Sequence, residues 1–123
     1  MSKEVEVSQS FPRLTVYSDE NFRGRRRILR GNLGIRNTDL ILDGIESLKF
    51  FSPRAGATLV VFSRTRFRGA FRVFRGNTNL RILDNLIRGG DVESIISSDR
   101  FLSEREIRRI RATGILPIGF RRI

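Results

Sequence analysis

Cysteine and histidine are both absent from this chain. Without thiols there are no disulfides and no thiolate chemistry, and cysteine usage says nothing of the redox compartment. Without imidazole, the usual nucleophile–base pairs and transition-metal sites lack their main parts. No carboxylate pair falls in a recognisable acid/base setting, so an enzyme is not expected. Gly31, Gly34, Gly89 and Gly90 have neither the spacing nor the lysine of a phosphate loop. No stretch approaches the roughly 18 apolar residues of a membrane helix. The opening MSKEVEVSQS is polar and acidic, unlike a secretory signal, which makes a cytoplasmic location the default expectation. Acidic residues are the scarce charge: 13 against 24 basic residues, a formal net charge of +11.

What the chain does have is apolar content for one core. At 123 residues, with 39% hydrophobic residues and ten Phe, it is long enough for a single folded domain. Its positive charge is carried by arginine, with Lys3 and Lys49 the two lysines. Arginine is the planar, weakly hydrated cation suited to phosphates and carboxylates. An Arg-rich surface fits either plain solubility or a partner such as nucleic acid or another anionic polymer.

One stretch is written twice. Residues 16–32 read VYSDENFRGRRRILRGN and residues 61–77 read VFSRTRFRGAFRVFRGN. A shift of 45 places Val16 on Val61, Tyr17 on Phe62, Phe22 on Phe67, Gly24 on Gly69 and Arg30-Gly31-Asn32 on Arg75-Gly76-Asn77. Two copies predict a pseudo-symmetric pair of units.

In chain order, residues 1–12 form a leader in which Val5 and Val7 alternate with Glu4 and Glu6. Pro12 marks its end. Leu14–Tyr17 is expected as a strand, Ser18–Asn21 as a turn and Arg25–Arg30 as a second strand. Residues 33–44 are read as a loop with a helical turn near Leu40, and Ile45–Phe51 as a third strand. The second unit follows the same course. Leu59–Phe62, Ala70–Phe74 and Val92–Ile96 are its strands, and residues 75–90 its loop. Ser103-Glu-Arg-Glu106 is a capping box, with Leu102 and Ile107 placed to form a hydrophobic staple. Ile107 and Ile110 share a face, and Gly114 stands where a left-handed cap belongs. A C-terminal helix of about three turns follows. The apolar tail after it should pack on the body or on a partner, a homo-oligomer through this segment included.

Each unit has an aromatic, six residues and a glycine (Tyr17–Gly24, Phe62–Gly69), with Phe22 or Phe67 two before the glycine. A Ser followed by an apolar residue closes each (Ser47-Leu48, Ser94-Ile95), and Asn32-Leu33 and Asn79-Leu80 complete the pattern. This resembles the βγ-crystallin family, in its microbial single-domain form with two Greek-key motifs. The resemblance implies an all-β Greek-key sandwich of two pseudo-twofold-related four-stranded motifs, residues 13–53 and 57–97 of a domain spanning 13–97. The helix and tail, residues 98–123, lie outside it. Tyr17, Phe22, Gly24, Ser47, Phe62, Phe67, Gly69 and Ser94 are expected to hold the fold, each ring lying across a hairpin whose sharp turn needs glycine.

The family also implies calcium, though no cofactor is required by the residues themselves. Its ligand pattern is two Asn/Asp, two variable residues, Ser or Thr, then Ser, completed by the other repeat's hairpin. The matching windows, 42–47 and 89–94, have Leu42 or Gly89 first and Glu46 or Glu93 in the hydroxyl position. Asp19 and Glu20 of hairpin one, Asp43 and Glu46, and Asp91 and Glu93 are the candidate ligands. The pairing expected is hairpin one with the Asp91/Glu93 segment, since Arg64 and Arg66 would repel a dication. The resulting expectation is a non-enzymatic structural or stress-type module with one degenerate calcium site. The alternative is a polyanion-binding module using Arg23, Arg25, Arg26, Arg27, Arg64, Arg66, Arg68 and Arg72, should both runs share one surface.

Overall fold

A computed structural model describes residues 10–88 and 90–123, so the leader expected over 1–12 lies almost wholly outside the described residues. Eight strands make two Greek-key units: β1 (Arg13–Asp19), β2 (Arg23–Arg30), β3 (Leu33–Ile35) and β4 (Ser47–Phe51), then β5 (Thr58–Arg64), β6 (Arg68–Arg75), β7 (Thr78–Leu80) and β8 (Ser94–Ser98). Helix α1 (Glu104–Thr113) and a two-residue strand β9 (Arg121–Arg122) follow. The sheets run β2-β1-β4-β7 and β6-β5-β8-β3-β9. Each unit thus sends its third strand into the other unit's sheet, and neither sheet is complete without both repeats.

The internal repeat is reproduced in the pairing register. Tyr17 faces Ser47 and Asp19 faces Arg23 in the first unit, as Phe62 faces Ser94 and Arg64 faces Arg68 in the second. Strands β3 and β7 correct the expectation of plain loops over 33–44 and 75–90. Three residues are too few for a period-two pattern to show. The pairs Leu33–Ser97 and Thr78–Phe50 occupy equivalent registers, so Asn32 corresponds to Asn77 and not to Asn79. Both asparagines do the same work. Asn32 accepts a hydrogen bond from the Asp99 amide at 2.6 Å, and Asn77 accepts one from the Ser52 amide at 2.8 Å.

Alternation explains which faces are dry. In β1, Leu14 and Val16 point into the core between the sheets, with Leu29, Leu48, Phe50, Leu59, Val61 and Ile95 around them. Strand β5 is buried from Thr58 through Phe62, because both of its faces are covered. Its second face, Val60 and Phe62, packs with Phe67, Ile96, Leu102, Ile107 and Ile110 in a separate cluster beneath α1. The helix is therefore held by the body. Burying side chains such as Leu102, Ile107 and Ile110 contributes about 1.5–3 kcal/mol each.

Its ends are built as the sequence predicts. Ser103 Oγ accepts from the Glu106 amide at 3.1 Å and Glu106 Oε1 accepts from the Ser103 amide at 3.1 Å. Gly114 adopts φ 74°. Beyond it, Ile115 and Ile118 stay exposed, and the chain returns to lay β9 parallel to β3.

Candidate metal centre

The hairpins come first, because they place the acids. Each β1–β2-type connection is a folded corner with two non-glycine residues in the left-handed region, Asn21 and Phe22 (φ 60°) or Arg66 and Phe67 (φ 60° and 62°). The closing serine ties it down. Ser47 Oγ donates to the Asp19 carbonyl at 2.6 Å and accepts from the Phe22 amide at 3.0 Å; Ser94 does the same for Arg64 and Phe67 at the same distances. Tyr17 and Phe22 meet edge to face at 5.7 Å, and Phe62 and Phe67 at 5.9 Å. A second serine pair, which the sequence pattern did not single out, completes the corner: Ser18 Oγ accepts from the Arg25 amide at 2.8 Å, and Ser63 Oγ from the Ala70 amide at 2.9 Å. Those hydroxyls sit where a Cβ on Gly24 or Gly69 would fall, 2.3 Å away in each case. With φ near +82°, glycine is the residue that fits.

Each tied-down corner then reaches the other repeat. The Asn21 amide donates to the Arg81 carbonyl at 2.9 Å. Glu46 is pinned between the two units, its amide on the Tyr17 carbonyl at 2.9 Å and its carbonyl under the Leu83 amide at 3.1 Å. The outcome is a cluster of carboxylates: Glu20, Glu46 and Asp84 bring one oxygen each to within 4.8 Å of one another. Glu20 and Glu46 come from the first repeat and Asp84 from the second. Burial raises the pKa of Glu46, and the charges of Asp84, Glu20, Asp91 and Asp19 push it further the same way. Among the described residues no arginine or lysine forms an ion pair with any of the three, in a chain of net charge +11. An all-oxygen set of this kind suits a hard cation such as calcium and suits no soft metal.

The mirror position holds a weaker set. The Glu93 amide donates to the Phe62 carbonyl at 2.8 Å and its carbonyl accepts from the Thr38 amide at 2.9 Å, as Glu46 is held in the first half. Its pKa is raised by burial, then by Asp39 and Asp91. Here Thr65 stands where Glu20 stands in the first site, in a cleft of about 240 Å³ that Arg36, Asn37, Leu40 and Arg66 also line.

The pairing of hairpin one with the Asp91/Glu93 segment is therefore corrected. Hairpin one meets Glu46 of its own repeat and Asp84 of the other, while Glu93 sits beside hairpin two. Asp84 and Asp39 were not among the residues singled out, since they lie outside the linear windows and reach the sites by crossing the pseudo-twofold. Asp19 is exposed at the end of β1 and lends its backbone carbonyl to Ser47. Asp43 forms a solvent-exposed pair with Arg25 at 3.6 Å. Asp91 is exposed and acts on both glutamates through its charge.

The two arginine runs do not share a surface. Strand β2 is the edge of one sheet and β6 the edge of the other. Since β2 turns directly into β3 and β6 into β7, the runs occupy opposite lateral edges of the sandwich. Much of the arginine excess instead covers phenylalanine rings: Arg13 lies 4.9 Å from the Phe51 centroid, Arg72 5.1 Å from Phe74, Arg75 4.0 Å from Phe101 and Arg111 5.1 Å from Phe71. Cation–π stacking lets a ring sit at the surface without a bare apolar face.

No protein-family model and no curated protein matches this sequence. Solved structures do. A structure described in the context of the evolution of the eye-lens βγ-crystallin domain fold superposes with a TM-score of 0.54 at 21% identity, over 72% of this chain and 87% of that one. Spherulin 3a from Physarum polycephalum gives 0.53 at 24% identity, over 74% and 85%. A βγ-crystallin from Ciona intestinalis gives 0.50 at 16%, over 70% and 99%. The chain has the βγ-crystallin domain fold. No helix among the described residues is long and apolar enough to cross a membrane.

Proposed function

We propose that this βγ-crystallin-fold chain is a non-enzymatic structural module whose two repeats are fastened together by one calcium ion at Glu20, Glu46 and Asp84. The observation that carries the reading is that three carboxylates from both repeats converge on one another in a strongly basic protein. Holding like charges together is unfavourable unless a cation neutralises them. Calcium takes six to eight oxygens, and three carboxylates supply its charge with room for water and backbone oxygens. When bound, the ion adds no reaction; it stabilises the native arrangement by mass action. Protons compete for Glu46, whose raised pKa makes calcium affinity fall as pH drops through the carboxylate range. The mirror set lacks the hairpin carboxylate, so one site is expected and not two.

Calorimetric titration with calcium tests this. One ion per chain, lost in Glu20→Gln and Asp84→Asn, supports the proposal. Two equivalent ions, or no heat at millimolar calcium, would refute it. Support for the non-enzymatic part comes from the absence of His and Cys and from a repeated set of residues whose hydrogen bonds are spent on the hairpins themselves.

A further inference from the structure

The same pseudo-symmetry that makes one half of the molecule acidic makes an equivalent place in the other half lack an acceptor. In the first half, the Arg81 guanidinium donates to Asn21 Oδ1 at 2.9 Å, and the Asn21 amide in turn donates to the Arg81 carbonyl. In the second half the equivalent pair is Arg36 and Arg66. The backbone bond is kept, Arg66 amide to Arg36 carbonyl at 2.8 Å. The side-chain bond cannot be, because a second guanidinium has replaced the amide oxygen. Arg66 is also a residue that gains nothing from its left-handed backbone (φ 60°), where asparagine is at home.

Two more cations face the same place. Arg68 at the start of β6 and Arg122 in β9 join Arg36 and Arg66 around a pocket of about 150 Å³, with the Phe67 and Gly114 backbone turns beside it. Arg66 and Arg68 belong to one hairpin, while Arg36 after β3 and Arg122 in β9 arrive from distant parts of the chain, so the local charge run accounts for only half of the cluster. Among the described residues none of the four is in an ion pair, although Arg25, Arg54, Arg100 and Arg108 are. Arg68 spends one donor on the Ala112 carbonyl, at 3.4 Å, and keeps the rest. Neither Asp39 nor Glu93 lines the pocket.

We propose that this pocket binds a phosphoryl group, held by Arg36, Arg66, Arg68 and Arg122. Guanidinium forks match the oxygens of a tetrahedral phosphate and bind them bidentately, and a phosphate supplies the acceptors and the negative charge that the four donors lack. The pocket accommodates one such group, whether free phosphate or one phosphate of an ester or polymer backbone. The C-terminal strand contributes Arg122, so this site exists on one side of the pseudo-twofold only.

The test is a thermal melt and a calorimetric titration with inorganic phosphate in calcium-free buffer, against chloride at matched ionic strength. Wild type is expected to bind saturably. Arg66→Asn rebuilds the acceptor that Arg81 enjoys and suits the left-handed backbone, so it should fold normally and lose about tenfold in phosphate affinity. Arg36→Gln should lose a similar factor, while Arg26→Gln, on β2 of the other sheet and outside the pocket lining, should bind as wild type does. A short oligonucleotide that displaces phosphate would identify a backbone phosphate as the ligand; failure to displace it would identify a small phosphate compound. Absence of a phosphate effect beyond chloride, or binding undiminished in Arg66→Asn, would overturn the proposal.

Discussion

Replacing Ser94 with alanine removes one hydroxyl and should cost more than most core truncations of that size. Ser94 is fully buried, and its oxygen serves two backbone groups: it accepts from the Phe67 amide at 3.0 Å and donates to the Arg64 carbonyl at 2.6 Å. Phe67 is itself buried, so its amide has no water to turn to. Leaving a buried donor or acceptor unpaired costs about 1–3 kcal/mol each, and the Arg64 carbonyl at the exposed hairpin recovers part of its share by hydration. The expected loss is about 2–4 kcal/mol, or a fall in Tm of roughly 8–16 °C for a domain of this size. Ser47→Ala is the internal control. It makes the same two bonds at the same distances, but Phe22 is half-exposed and its amide can be hydrated, so the expected cost is about 1 kcal/mol smaller. Chemical denaturation of both variants measures the difference directly. A Ser94→Ala protein within about 0.5 kcal/mol of wild type, or less affected than Ser47→Ala, would show that the closing serines do not hold the hairpins.

Gly69→Ala and Gly24→Ala should each cost at least about 2 kcal/mol, since the new Cβ meets a serine hydroxyl and the backbone is left-handed. Gly31→Ala, equally left-handed but in open space, should cost only about 1 kcal/mol, which a three-variant melting series resolves. Ser103→Ala should lose about 0.5–2 kcal/mol and fray α1, read as faster amide exchange at Glu106 and Ile107. The raised pKa of Glu46 means the folded protein binds that proton more tightly than the unfolded chain does. Metal-free stability should therefore fall as pH rises above the ordinary glutamate value, and Glu46→Gln should flatten that decline while leaving the metal-free protein no weaker at neutral pH. An unchanged slope in that variant would mean that the carboxylates do not repel one another as described.

Much of this fold was legible because the chain repeats itself. The spacing of Tyr17, Phe22 and Gly24, copied in Phe62, Phe67 and Gly69, identifies the hairpins, and Ser47 and Ser94 follow from the same pattern. The capping box at Ser103 and the cap at Gly114 are local chemistry, readable without tertiary context. Strands β3 and β7 were not readable, since Leu-Gly-Ile and Thr-Asn-Leu carry no alternation and owe their conformation to the sheet they cross into. The sequence offered two partners for Asn32, Asn77 by the 45-residue shift and Asn79 by the Asn-Leu pair, and pairing register decides for Asn77. The carboxylate cluster was half legible: Glu20 and Glu46 lie in stretches that resemble a ligand pattern, but Asp84 joins them only through the pseudo-twofold. The arginines were the least legible. Whether Arg72 or Arg75 faces solvent, a ring or a carbonyl depends on neighbours distant in sequence, and Arg36 and Arg122 join Arg66 and Arg68 only in three dimensions.

Melting the protein across a calcium series tests the central claim most directly, that a cation at Glu20, Glu46 and Asp84 fastens one repeat to the other. The account predicts a Tm that climbs with the logarithm of free calcium, equivalent to about 2.7 kcal/mol at a hundredfold excess over the dissociation constant, and that stays flat in Asp84→Asn. A wild-type Tm unmoved by millimolar calcium, or a climb that survives in Asp84→Asn, would contradict it.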